Sequence, residues 1–113
     1  MTELFKKAEN ISNGLVDIIR CLENKDSVKN YTTTPLLYVA MNITSMVRRI
    51  ENDSGVAERE EARRNVRSEI DTGKRVIDTL IFNKIITEKE AASVLNDLQS
   101  LCEIVGAEAE GGG

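Results

Sequence analysis

Between Ser54 and Phe82 the chain reads SGVAEREEARRNVRSEIDTGKRVIDTLIF, and Val66, Ile70, Gly73, Ile77 and Leu80 recur within it at spacings of four, three, four and three. At 3.6 residues per turn these positions fall on one stripe, so the segment can bury its apolar side only as a helix packed on other elements. Its first half is different. Glu58, Arg59, Glu60, Glu61, Arg63, Arg64 and Arg67 have Val56, Ala57 and Ala62 as their main apolar company, too little for deep burial. The pattern predicts a helix over 54–83, anchored in its second half and exposed in its first. Thr72 and Gly73 are a possible kink site, but the stripe stays in register across them, which favours one continuous helix.

The same rhythm appears three more times. Leu4, Ala8, Ile11, Leu15, Ile18 and Leu22 define a helix over 3–23, capped by Thr2 and widened by Phe5, Val16 and Ile19, with a weak point at Gly14. The polar ENKDSVKNYTTT follows, a connection of roughly ten residues, long for a bundle. Thr34 and Pro35 make a start signal: the hydroxyl caps the first turn, and proline sits where an amide proton is not needed. The second helix is therefore expected over 35–51 with Leu36, Val39, Ile43, Met46 and Ile50 inward, flanked by Leu37, Ala40 and Val47, and NDSG ends it, with Asp53 or Ser54 capping the third. Thr87 and Glu90 have the spacing of a capping box, flanked by Ile86 and Ala91. They open a fourth helix over 88–105 that buries Ala91, Val94, Leu98, Leu101 and Val105 and stops at Gly106. The remaining AEAEGGG, 107–113, reads as a flexible acidic and glycine-rich tail. Its final Gly111–Gly113 resembles a conjugating terminus only superficially, since the helical context is wrong for one.

Four amphipathic segments with mostly short links predict an all-α fold, an antiparallel up-down-up-down four-helix bundle forming one domain over 1–106. A chain of 113 residues with 41% hydrophobic residues can build such a core without metal or disulfide staples. In that topology Cys21 and Cys102 fall at opposite ends of the bundle and should be free thiols. With two cysteines, no CxxC spacing and no histidine, no metal or cofactor is expected. The N-terminal MTELFKKAENIS lacks a signal-peptide core, and no run of about 20 apolar residues occurs, so the expectation is a cytoplasmic protein without a membrane segment.

Function is sought in the charged half of the third helix. Arg59, Arg63 and Arg67 are four apart with Arg64 beside them, a candidate interaction face able to grip acidic side chains or track phosphates. From Val47 to Arg75, however, eight basic and seven acidic residues nearly cancel. Glu60 precedes Arg64, and Asp71 precedes Arg75, by the four residues of a solvated ion pair. A helix-turn-helix reading of the last two helices fails on charge, since from Glu88 onward six acids face one base. Catalysis is not expected, because general acid and base work would fall to carboxylates alone. Glu58 and Glu61 with Glu69 or Asp71 are candidates for a magnesium-dependent phosphohydrolase site, but they sit among arginines. A calcium loop around Gly55 fails because Ile50 would be its first ligand. The expected role is a non-enzymatic accessory, regulatory or inhibitor subunit that binds another protein. The alternatives are RNA or single-stranded nucleic-acid binding through the arginine face, and a homo-oligomer burying Val56, Ala62 and Val66.

Overall fold

The computed structural model describes residues 2–23, 30–52 and 55–111. They form four helices: α1 (Glu3–Glu23), α2 (Asn30–Asn52), α3 (Val56–Phe82) and α4 (Glu88–Gly111), with no strand among the described residues. Each helix packs on two others, α1 and α3 both lying between α2 and α4. Along α1, Lys7 Nζ lies 3.8 Å from Asp97 Oδ1, Gly14 faces Val94, and the Cys21 thiol donates to Glu90 Oε2 at 3.3 Å. Rising numbers on α1 therefore meet falling numbers on α4. The α2–α3 seam runs the same way, with Asn42 Nδ2 donating to Glu69 Oε1 at 3.3 Å and Val39 set against Gly73. The result is the expected antiparallel bundle, a rod of 47 × 22 × 21 Å. Its length follows from α3, whose 27 residues span about 40 Å.

One contiguous apolar core fills the rod, and it contains every stripe residue named above on α1, α3 and α4. On α2 the inward set is Leu36, Val39, Ala40, Ile43, Val47 and Ile50, so Val47 takes the place expected for Met46, which is only half-buried. Both choices fit a spacing of three or four, and the twist of the neighbouring helices selects between them. α3 is continuous through Gly73. A β-carbon on Gly73 would lie 3.2 Å from Val39 Cγ1 and 3.8 Å from Leu98 Cδ1, so this glycine lets three helices approach closely rather than marking a kink.

Three boundaries differ from expectation. α2 starts at Asn30, five residues before Pro35, which lies inside the helix. The first four amides of any helix have no intrahelical acceptor, so a proline at the sixth position removes only one bond, and the helix can begin ahead of it. α3 takes Gly55 as its N-cap in an extended conformation, with no side-chain capping bond. The expected caps Asp53 and Ser54 lie outside the described residues, as does the connection over 24–29. α4 does not stop at Gly106 but runs on to Gly111, because Gly106 lacks the positive φ of a helix terminator and the following alanines and glutamates favour the helix. The segment expected as a flexible tail is therefore helical as far as Gly111.

The two ends of the 83–87 link are fixed locally. Glu90 N–H donates to Thr87 Oγ1 and Thr87 N–H to Glu90 Oε1, both at 3.0 Å, which completes the capping box. On the other side Lys84 N–H donates to Ile81 O and Ile85 N–H to Leu80 O, each at 2.9 Å, with Lys84 at φ 60°. That pair of bonds is a Schellman closure of α3, with lysine where glycine is usual.

Candidate interaction surfaces

Four residues on an α-helix advance by slightly more than one turn, so a row at that spacing slips by about 40° per step. This slip divides the arginine row. Ala62, Val66 and Ile70 mark the buried line of α3. Arg59 and Arg63 lie close enough to it to be half-buried, whereas Arg64 and Arg67 are exposed. The four arginines expected on one face are thus two pairs with different surroundings. Neither Cys21 nor Cys102 is in a disulfide, and the Cys21 bond to Glu90 places it at the opposite end of α4 from Cys102.

Arg59 and Arg63 enter a cleft of about 410 Å³ at one end of the rod. Thr2 ahead of α1, Glu3 and Leu4 of α1, Ile50 and Glu51 of α2, and Ile104 of α4 form its other walls. Arg63 keeps only 13% of its side chain exposed and donates from Nη1 to Glu60 Oε1 at 2.6 Å. Glu60 thus pairs with Arg63, not with Arg64 as spacing alone suggested. Asp71 and Arg75 do pair as expected, at 2.7 Å and in the open. The Nε–H groups of Arg59 and Arg63 are shut off from solvent, and neither has an acceptor. A buried donor left unmatched costs about 1–3 kcal/mol, so two of them one turn apart call for a reason.

The second surface is on α2. Leu37, Tyr38 and Met41 are 46%, 59% and 58% exposed. Met41 also borders a shallow groove of about 430 Å³ against α1, floored by the small residues Ser12, Ala40, Thr44 and Ser45 and closed by Arg48. The Arg48 guanidinium lies 5.3 Å from the ring centre of Phe5 on α1. A signal for this surface was present in the sequence. From Asn30 to Val47 there is no charged residue, although 30% of the whole chain is charged. A solvated helix face normally carries charge, and removing it while leaving tyrosine, methionine and leucine outside is the composition of an interface centre.

Other candidate chemistries find little support in the geometry. The Glu58 carboxylate folds back over Gly55, occupying the space a side chain there would need, at the start of its own helix. Among the described residues no group of three or more histidine, cysteine or acidic side chains converges as a metal site. No described helix is long and apolar enough to cross a membrane. Comparison of the chain with protein-family models, with curated proteins and with solved structures gave no match.

Proposed function

We propose that this bundle is a non-enzymatic accessory or regulatory subunit that binds another protein through the outer face of α2. The observation that carries this reading is the charge-free stretch Asn30–Val47 with Leu37, Tyr38 and Met41 exposed on it. The occupant it fits is an amphipathic helix of a partner laid along the α1–α2 groove, with apolar residues against Met41 and Leu37 and an acidic residue opposite exposed Arg48. Aromatic and methionine side chains supply large contact area at small entropic expense, and the small groove residues allow close approach. Nucleic-acid binding has weaker support, because only Arg64 and Arg67 of the arginine row face solvent freely and no exposed aromatic accompanies them on α3's charged half.

The test is native mass spectrometry of the protein recovered at low salt from the cells that make it. A stoichiometric second polypeptide is expected. The chain travelling alone, or carrying nucleic acid that leaves at high salt, contradicts the proposal.

A further inference from the structure

We propose that two copies of this chain pair at the end of the rod where α3 finishes, each placing its Phe82 ring in a groove between α2 and α3 of the other. That groove is on the α3 side of α2, away from the α1–α2 groove, so the pairing stands or falls without the partner proposed for the outer face of α2.

Phe82 is the last residue of α3 and is 85% exposed, more than any other large apolar side chain among the described residues. A single exposed ring needs no explanation by itself. Here an apolar groove lies beside it. Pro35 of α2, Val76 and Leu80 of α3 and Ile85 of the following link line a space of about 350 Å³. Three residues along a helix stop about 60° short of a full turn, so Val76, Thr79 and Phe82 step around α3 from the groove to the ring. Thr79, exposed, stands midway between them. A twofold axis beside Thr79, running roughly along the rod, exchanges ring and groove. Each ring then meets the other copy's groove, the self-complementary contact that closes a dimer.

The charges around the groove suit the same occupant. Arg75 lines it and pairs with Asp71 at 2.7 Å, so the rim holds a neutralised pair rather than a charge that repels a second copy. Thr79 and Asn83, also on the lining, are uncharged. A ring entering beside Arg75 gains a cation–π contact of the kind Arg48 makes with Phe5. Area sets the strength of the pairing. A phenylalanine buries about 150–250 Å², so two rings with their matching walls bury roughly 600–1,000 Å². That is less than the roughly 1,200–2,000 Å² of a stable interface, and the dimer is accordingly reversible, with a dissociation constant of about 0.1–1 mM.

The experiment combines sedimentation equilibrium of the full chain, from about 20 µM to about 2 mM, with isotope-filtered NMR of a mixture of ¹³C-labelled and unlabelled chain. The average mass is expected to rise from monomer towards dimer, and the Phe82 ring protons of one copy should show contacts to the Val76 methyls of the other. Phe82→Ala removes the ring, and Thr79→Arg obstructs the groove while keeping the ring. Each should weaken association about tenfold or more at an unchanged melting temperature, since both side chains are exposed. Val56→Ala, at the far end of α3 and 70% exposed in the original, should leave association unchanged. Four results overturn the proposal: a monomer mass at every concentration, a Phe82→Ala or Thr79→Arg protein that associates like the original, an equal loss from Val56→Ala, or contacts between copies that run through Tyr38 and Met41 instead of Phe82.

Discussion

Lys84 and Gly106 each occupy a position that suits the other's residue type. Lys84 closes α3 at φ 60°, a conformation that an L side chain resists by about 1 kcal/mol, while glycine adopts it freely. Lys84→Gly should therefore stabilise the protein by about that amount in urea unfolding. Gly106 is the reverse case, a glycine inside α4 with nothing within 4 Å of where a β-carbon would stand. Gly106→Ala should stabilise by about 0.5–1 kcal/mol, since alanine loses less backbone entropy on entering a helix. If the helix stopped at Gly106 in a left-handed cap, the same change would destabilise. The sign of that one difference separates the sequence expectation from the structure. In the sequence, the C-terminal glycine rule pointed to residue 106, and no glycine drew attention to residue 84.

At the scale of the helix, most of the architecture was legible because burial repeats with the helical period. The stripes on α1, α3 and α4 and the capping box of α4 depend only on local spacing, and all were placed correctly. What failed were decisions in which a local signal competes with packing or with an extended helix. Thr34–Pro35 is a sound start signal, yet α2 gains another turn before it. Met46 and Val47 are equally good by period, and only the neighbouring helices choose Val47. The arginine row divides for a geometric reason, since spacing by four drifts around a helix and leaves Arg59 and Arg63 half-buried while Arg64 and Arg67 stay exposed. Gly73 illustrates how an element is fixed by its neighbours. Gly73→Val would press against Val39 and Leu98 and should destabilise by about 1–3 kcal/mol, read as a lower urea midpoint with unchanged slope. A kink at that glycine would have left room for the larger side chain.

For the whole molecule, the rod has two kinds of surface. Most of it is a mixed-charge coat with a formal net charge of −4, and surface pairs such as Asp71–Arg75 contribute little to stability. The outer side of α2 has no such coat between Asn30 and Val47. The charge-free stretch from Asn30 to Val47 is 18 residues, about 27 Å of helix, which is the length of a partner helix of about five turns laid along it. The α2 surface was missed in the sequence because periodicity detects what is buried, whereas this surface is marked by charge that is absent from an exposed face. The most direct test is Met41→Glu, whose side chain is solvent-exposed and whose replacement leaves the core intact. Native mass spectra of the two proteins, each recovered at low salt from its own cells, should show a second polypeptide with the original chain and its loss with Met41→Glu, at an unchanged melting temperature. A partner retained in full by Met41→Glu would contradict the assignment of α2 as the contact surface.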